Sequence, residues 1–420
     1  MDSLKALYRI GKGPSSSHTM GPNFAAERFR SLYPGAASYR VRLYGSLAAT
    51  GRGHLTDAAV LEALGPHTRI EWEPATVPPR HPNALKFEAL DASGEVTGTL
   101  TAYSVGGGAV EFEGGGTPSD GVQSDGPRGP YPHSTMRTIL PHIEKHGETL
   151  WEYVFDHEEE SLKEYLHEVR RTMREAIARG IEEEGKLPGP LNIRRKASTY
   201  FAKSKSAEGF VKQISTLFSY ALAVSEENAS GGTVVTAPTC GSSGVLPAVL
   251  ATLQETYDIS EARIVRALAT AGLVGNLAKY NGSISGAEVG CQGEIGVACA
   301  MAAAAAAQLL GGSPRQIEYA AEMGLEHHLG LTCDPVQGLV QVPCIERNAV
   351  AATRAVDAAT YASLSDGNHM ISYDEVVDTM LQTGRDLSGH YRETSTGGLA
   401  AFYNRDEMEA HARLGRGERE

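Results

Sequence analysis

A segment rich in Gly, Pro, Ser and Asp, residues 117–135, divides the chain into two parts with different hydrophobic periodicity. Few backbone hydrogen bonds or apolar contacts can form in such a composition, so we interpret this segment as an interdomain linker. The part before it contains one run of helical spacing, residues 57–64, among runs that alternate apolar and polar residues and so indicate half-buried strands. The alternating runs are residues 39–44, 86–90 and 98–103. We therefore predict a small α+β domain over residues 1–116.

The part after the linker has a helical pattern. Residues 162–177 place apolar side chains three and four positions apart with charges opposite, which predicts an amphipathic surface helix. Residues 263–280 and 292–310 are apolar almost all round, and the alanine run in the second should let neighbouring helices approach closely. The charged tail over residues 405–420 predicts a frayed helix. The expected fold class is α+β, in which the small domain precedes a larger, mostly α-helical domain over residues 136–420.

Charge and hydropathy exclude several classes of function. The chain of 420 residues carries 38 Lys and Arg against 51 Asp and Glu, a net charge of −13, and it has no long basic run. It is therefore a poor candidate for binding nucleic acid or an anionic membrane. No apolar run reaches the roughly 18 residues of a membrane-spanning helix, and the N-terminus lacks the apolar stretch of a signal peptide. We expect a cytoplasmic protein.

The chain has five cysteines, an odd number that favours metal binding or catalysis over a disulfide framework. Three of them, Cys291, Cys333 and Cys344, stand beside turn-forming or conformationally restricted residues, where a thiolate can face a metal. Three cysteines without a local fourth suit an iron–sulfur cluster with one iron left open for substrate. From spacing alone, the alternative that they are small buried hydrophobic residues stays open. We assign Cys299, on the alanine-rich helix, and Cys240, in a Gly/Ser turn, no ligand role.

Two Gly- and Ser-rich motifs in the first part could bind an anion and supply a base. Residues 13–22 place Ser15 and the hydroxyl and N–H groups after it ahead of a predicted helix, an arrangement that can hold a carboxylate. The alternative is an ordinary helix cap with an exposed His18. In residues 44–57, His54 could act as a base near neutral pH or could lie in a surface turn. The glycines of this motif match neither a dinucleotide-binding nor a P-loop fingerprint.

Six segments of the chain carry a family resemblance. The most specific is CDPVQGLVQVPCIERN, residues 333–348, which contains two of the three cysteines. The other five are GPSSSHTMGP (13–22), YGSLA through GHLTD (44–57), APTCG (237–241), SGAEVGCQGE (285–294) and ETSTGGLA (393–400). Together, and in this order, they resemble the iron–sulfur-dependent L-serine dehydratases of bacteria, also called L-serine ammonia-lyases. Because one polypeptide carries all six, the resemblance is to the single-chain form.

The resemblance implies a [4Fe–4S] cluster held by Cys291, Cys333 and Cys344, with the fourth iron free to bind the hydroxyl of serine. It also implies a homodimer that converts L-serine to pyruvate and ammonia without pyridoxal phosphate. His54 resembles the family's proposed base, and His18 is the second choice. Six further residues are expected to contact the substrate at the interface of the two domains: Ser15, Ser16, Ser17, Thr19, Thr239 and Asn281. No cysteine follows Cys344, so the C-terminal cysteine that caps the open iron in some relatives should be absent.

Other activities stay open at this stage. A thiol substrate would also bind iron well, so the chain could be an iron–sulfur lyase that acts mainly on L-cysteine or L-threonine. A non-catalytic iron–sulfur sensor of amino acids would bind its ligand reversibly and release no ammonia. A structural protein would contain no iron.

Overall fold

The computed structural model describes residues 1–113 and 129–403 of the chain. The predicted linker is therefore described only from residue 129, and the predicted helix over residues 405–420 lies outside the described residues. The described residues form an N-terminal region that contains a mixed sheet and a larger region that is mostly helical. The predicted α+β class, with the sheet region first, is thereby confirmed.

The N-terminal region is built around a five-stranded mixed sheet. Its helices and strands are, in chain order, β1 Ile10–Lys12, α1 Gly21–Leu32, β2 Ser38–Tyr44, α2 Gly45–Ala49, α3 Thr56–Leu64, β3 Thr68–Glu73, β4 Ala84–Leu90, β5 Val96–Gly106 and β6 Ala109–Phe112. The order in the sheet is β3-β2-β4-β5-β6, and only the β2–β3 pair is parallel. Side chains along β2 alternate between buried and half-buried, because one face of the sheet is covered. Phe29 of α1 and Val60 of α3 share a core there with Val41 and Phe87.

The second region is a helical assembly around one central helix. Its helices and single strand are α4 Met136–His146, α5 Leu150–His157, α6 Ser161–Glu182, α7 Ala197–Lys205, α8 Gly209–Ala229, β7 Thr233–Val235, α9 Val245–Tyr257, α10 Glu261–Asn281, α11 Gly286–Val289, α12 Ile295–Leu309, α13 Pro314–Glu326, α14 Cys344–Leu364 and α15 Tyr373–Asp386. Helix α12 carries the alanine run and is buried along almost its whole length. A Cβ on Gly324 of α13 would lie only 3.0 Å from the Cα of Ala300. The small residues therefore bring these two helices into backbone contact, as the alanine run predicted.

Within the described ranges, no single helix has the length and hydropathy needed to cross a membrane. The helical pair over residues 286–292 and 295–309 meets that criterion only jointly, across a bend of 52°.

The first twelve residues of the chain pack with the helical region, and the five-stranded sheet is formed by later residues. Strand β1 pairs antiparallel with β7, so that Ile10 lies opposite Val235. Leu4 and Tyr8 are fully buried in the helical core, and the hydroxyl of Tyr8 donates to the carbonyl of Leu268 at 2.9 Å. The chain thus crosses from the helical region to the sheet region between residues 12 and 21, where the predicted Ser/His motif lies. The predicted boundaries at residues 116 and 136 stay a prediction.

Candidate active site

Three cysteines from separate elements line one cavity. Cys291 lies in a 3-10 turn just before α12, Cys333 lies in an extended segment, and Cys344 is the first residue of α14. The Sγ atoms of Cys291 and Cys333 and a carboxylate oxygen of Glu294 lie within 4.8 Å of one another. The structure therefore brings together the three thiols that the sequence predicted as ligands, and adds a carboxylate beside them.

The electrostatics of this cavity disfavour thiolates when no cation is near. A hydrogen bond with Cys291, together with burial, raises the pKa of Cys333 well above its usual range. Burial also raises the pKa of Cys344, although this thiol stands at a helix N-terminus, which favours the thiolate. Burial likewise raises the pKa of Glu294 to about 6. The positive charge of Arg347 favours ionisation of Cys344 and Glu294 but does not offset their burial, so a bound cation would be needed to ionise these donors.

The other two cysteines lie elsewhere. The thiol of Cys240 contacts the thioether sulfur of Met20 at 3.7 Å, and Cys299 is buried among the alanines of α12. Burial raises the pKa of both thiols. Neither residue lines the cavity of the three cysteines.

Two carboxylates in this cavity, Glu294 and Glu393, were not among the predicted site residues. Thr239 donates to Glu294 Oε1 at 2.8 Å, so this predicted substrate contact instead orients a carboxylate of the cavity wall. Glu294 follows Cys291 by three residues, one helical turn, and that spacing is the sequence signal that could have identified it. Glu393 stands in a loop and begins the segment ETSTGGLA, residues 393–400, which marks this loop only through the family resemblance.

The backbone of Glu393 is fixed to the segment that carries Cys333. Cys333 N–H donates to the carbonyl of Tyr391 at 2.8 Å, and Glu393 N–H donates back to the carbonyl of Cys333 at 2.9 Å. Glu393 has a φ of 58°, which is unusual for a residue other than Gly and Asn. Its Oε2 is buried and has no hydrogen-bond partner among the described residues. Burial raises the pKa of this carboxyl well above its usual range.

The two predicted histidines stack on each other beside Glu393. The ring centroids of His18 and His54 are 4.5 Å apart, and both side chains are buried. Glu393 Oε1 lies 3.4 Å from His18 Nδ1 and 3.8 Å from His54 Nε2. Of the two rings, only that of His54 lines the cavity with the cysteines.

Hydrogen bonds assign the protons of the neutral rings. His54 Nδ1–H donates to the carbonyl of Thr50 at 3.1 Å, which leaves Nε2 unprotonated. Both nitrogens of His18 are occupied, since Nε2 contacts Ser46 at 3.2 Å and Nδ1 contacts Ser17 at 3.0 Å. Burial lowers the pKa of His54 to about 4, and it lowers that of His18 well below its usual range. Both rings are therefore neutral at pH 7.

The Ser/His motif forms a helical turn that holds these rings in place. The turn over Ser16–Met20 runs directly into α1, and Ser15 caps it by accepting from the N–H of His18 at 3.1 Å. Thr19 Oγ1 accepts from the N–H of Ser15 at 3.1 Å and donates to the carbonyl of His54 at 2.7 Å. Ser15 lines the cavity, whereas Ser16, Ser17 and Thr19 do not. The predicted motif thus supplies two cavity residues, Pro14 and Ser15, and the support for both histidines.

Two glycines let the His54 loop approach the loop between Cys333 and Cys344. A Cβ on Gly53 would lie 2.5 Å from the carbonyl oxygen of Gly338, and a Cβ on Gly338 would lie 3.2 Å from the Cα of Thr50. The φ of Gly338 is 68°, a conformation that disfavours other residues. The absence of side chains at both positions is what allows the imidazole to face the thiols.

Asn281, which was predicted to contact the substrate, does not line this cavity. It is the last residue of α10, and its side-chain amide donates to the carbonyl of Ser134 at 2.7 Å and of Leu277 at 3.1 Å. These bonds satisfy the helix end and tie it to the segment that precedes α4. The role of Asn281 in the structure is therefore to hold these two segments together.

Comparisons with known proteins identify the family of the chain. The family model described as serine dehydratase alpha chain matches residues 78–400, and that described as serine dehydratase beta chain matches residues 3–69. L-serine dehydratase of Streptomyces coelicolor is 44% identical over an alignment of 448 positions, gaps included, which covers 95% of this chain and 98% of that protein. L-serine dehydratase 1 of Escherichia coli is 40% identical, with 95% of this chain and 99% of that protein covered.

The chain therefore belongs to the serine dehydratase family. It carries both the alpha and the beta regions of that family in one polypeptide. The two matches meet between residues 69 and 78, and β2 pairs with β4 across this junction. The five-stranded sheet thus contains strands from both regions.

Proposed function

We propose that this chain is an L-serine ammonia-lyase, which removes water from L-serine and yields pyruvate and ammonia. We further propose that Cys291, Cys333 and Cys344 hold a [4Fe–4S] cluster. The convergence of three thiols and the His54 imidazole on one cavity carries the proposal. The near-complete alignment with L-serine dehydratases of two bacteria supports the substrate.

The residues of the cavity fit an iron–sulfur cluster by their chemistry. Cysteine thiolates are the usual ligands of such clusters, and a bound cation would offset the burial that raises the pKa of Cys333 and Cys344. The wall beside Cys333 also lacks a side chain at Gly286, where a Cβ would lie 3.3 Å from the sulfur and 2.9 Å from Glu294 Oε2. The described residues supply no fourth cysteine to the cavity. When bound, the cluster would supply a Lewis-acidic iron to the leaving hydroxyl of serine.

His54 is the proposed base for the Cα proton. Its Nε2 carries no proton in the neutral ring and lies 3.8 Å from Glu393 Oε1, a carboxylate of the cavity wall, whereas both nitrogens of His18 already have hydroxyl partners. A positioned base typically contributes a factor of about 100 to 10,000 in rate. The Thr19 bond to the His54 carbonyl and the Thr50 bond to Nδ1 hold the ring in one orientation.

Glu393 would stabilise the positive charge that forms on the His54 ring when His54 takes the proton. Its Oε1 lies within 4 Å of both imidazoles, so an ionised carboxylate would pair with the new imidazolium. Ser15 and the first N–H groups of the turn that it caps would bind the carboxylate of serine. Departure of the Cα proton and the hydroxyl, which leaves as water, gives aminoacrylate. Its imine tautomer is hydrolysed by water to pyruvate and ammonia.

The ligand assignment is tested with Cys333→Ala and a matched control, Cys299→Ala, which removes a buried thiol outside the cavity. The proteins are purified anaerobically, and iron, sulfide, cluster absorbance and pyruvate formation are measured. We expect Cys333→Ala to lose both cluster and turnover, and Cys299→Ala to keep both. Full cluster absorbance and full turnover in Cys333→Ala would contradict the proposal.

The base assignment is tested with His54→Ala and His18→Ala at equal iron content. We expect His54→Ala to lose about 100-fold or more in kcat, in line with the loss of a positioned base. A loss of less than about tenfold would move the base to His18.

The substrate is tested by anaerobic product assays on L-serine, L-cysteine and L-threonine. We expect the highest kcat/KM with L-serine, with one ammonia released for each pyruvate. Faster turnover of L-cysteine or L-threonine would assign the chain to a different β-substituted amino acid. Reversible binding of serine without ammonia release would identify a sensor. A colourless preparation without iron would contradict both the iron–sulfur enzyme and the iron–sulfur sensor. The homodimer and the cytoplasmic location stay predictions, and light scattering tests the first.

A further inference from the structure

A group of imidazoles and one carboxylate lies at the corner between α4 and α5, away from the cysteine cavity. Each of His142, His146 and Glu148 offers a ligand atom, and these three atoms lie within 4.8 Å of one another. None of the three residues lines the cavity described above. His133 adds a further ring, whose centroid lies 5.0 Å from that of His142.

Local structure sets this arrangement. His142 and His146 are four residues apart on α4 and so share one face of the helix, with ring centroids 4.5 Å apart. Gly147 ends the helix with a φ of 70°, and the N–H of Glu148 donates to the carbonyl of Ile143 at 3.0 Å. This turn returns the chain over the last turn of α4, which brings the Glu148 carboxylate beside the two imidazoles.

The ligand atoms are free to bind a cation. His146 Nδ1–H donates to the carbonyl of His142 at 2.7 Å, which leaves Nε2 with the lone pair that a metal needs. Among the described residues, no hydrogen bond engages the ring nitrogens of His142, and no cation pairs with the carboxylate of Glu148.

We propose that His142, His146 and Glu148 form a binding site for a divalent transition-metal ion, with Zn²⁺ as the preferred occupant. Two imidazoles and one carboxylate form a donor set that suits Zn²⁺, and they leave a fourth position for water or a further side chain. The bound ion connects the last turn of α4 to the turn that leads into α5. It stabilises the folded chain because the unfolded chain does not hold these ligands together.

The test uses the anaerobically purified protein with its iron–sulfur centre intact, dialysed against ZnCl₂. Zinc per chain and the dissociation constant are measured for the wild type and for His142→Ala/His146→Ala. The matched control, His67→Ala/His167→Ala, removes two imidazoles that are exposed and distant in sequence from this group. Zinc bound by stray thiols would be common to all three proteins and would cancel in the comparison.

We expect the wild type and the control to bind one zinc ion more per chain than His142→Ala/His146→Ala. Zinc should raise the Tm of the first two proteins and leave that of the third unchanged. Equal zinc binding by all three proteins, or an equal loss in both double variants, would overturn the proposal.

Glu148→Gln keeps the shape of the side chain and gives an answer even if the double variant fails to fold. We expect it to bind zinc at least about tenfold more weakly than the wild type. Unchanged affinity in Glu148→Gln would show that the carboxylate is not a ligand and would overturn the three-ligand site.

Discussion

Gly53→Ala tests the close approach that lets His54 face the cysteines. The new Cβ would lie 2.5 Å from the carbonyl oxygen of Gly338, whereas an ordinary contact needs at least 3.4 Å. The two backbones must therefore separate by about 0.9 Å, since neither atom is the mobile end of a side chain. His54 follows Gly53 directly, so the imidazole moves with this separation.

The expected loss is mainly catalytic. A misplacement of about 1 Å in a reacting group can cost about 100-fold in rate, whereas local overpacking costs about 1 to 3 kcal/mol of stability. The assay measures kcat for pyruvate formation, iron content and Tm under anaerobic conditions. Gly35→Ala is the matched control, because a Cβ at that position has no atom within 4 Å.

We expect Gly53→Ala to keep its iron and most of its thermal stability while kcat falls by about 100-fold. Gly35→Ala should behave as the wild type does. If Gly53→Ala turned over within about twofold of the wild type at equal iron content, the loop contact would not position the base.

Three further predictions follow from buried groups. Glu393→Gln keeps the shape of the side chain but cannot carry charge beside His54, so kcat should fall about 10- to 100-fold at unchanged iron content. Thr19→Val removes the donor to the His54 carbonyl and should cost about 1 kcal/mol of unfolding free energy in urea titrations, whereas Thr19→Ser should restore most of it. Burial lowers the pKa of His328 in the folded chain to about 4, from about 6.5 in the unfolded chain. As the pH drops from about 6.5 to about 4, the unfolded chain binds a proton at this histidine that the folded chain does not, so the free energy of unfolding falls. His328→Gln should remove up to about 3 kcal/mol of that fall, and His167→Gln, at an exposed position, should leave it unchanged.

The elements of the fold that the sequence predicted are those with a strong local period. Residues 39–44 alternate because one side of β2 is buried, and the alanine run of α12 reflects close helix packing. β3 was missed although its sequence, TRIEWE, alternates: its charged residues share one face, but none of its residues is buried, because the strand lies at the edge of the sheet. The pairing of β1 with β7 has no local signal at all, since the partners are more than 200 residues apart.

The residues of the candidate site were likewise predicted only where the sequence carries a local signal. Cysteine is rare in the chain, so three cysteines beside turns were visible in the sequence, whereas Glu393 stands in a loop and depends on a backbone pairing with Cys333. The hydrogen bond of Asn281 to Ser134 could not be predicted, because a polar residue at a helix end looks the same whether it faces a ligand or a carbonyl, and its contact with the substrate stays a prediction. Which hydroxyl of the Ser15–Thr19 motif faces the cavity depends on the three-dimensional turn, and no spacing rule gives it.

The pairing of β1 with β7 has a consequence for synthesis on the ribosome. Leu4 and Tyr8 fill the helical core, and although Glu158 and Tyr165 bond to them, they also pack against Leu268 and Gly272, so the emerging chain cannot bury them fully until that part is made. At about 5 to 20 residues per second, this delay is roughly 10 to 45 seconds. Nascent chains that stop before β7 should therefore keep this apolar N-terminal segment accessible to chaperones.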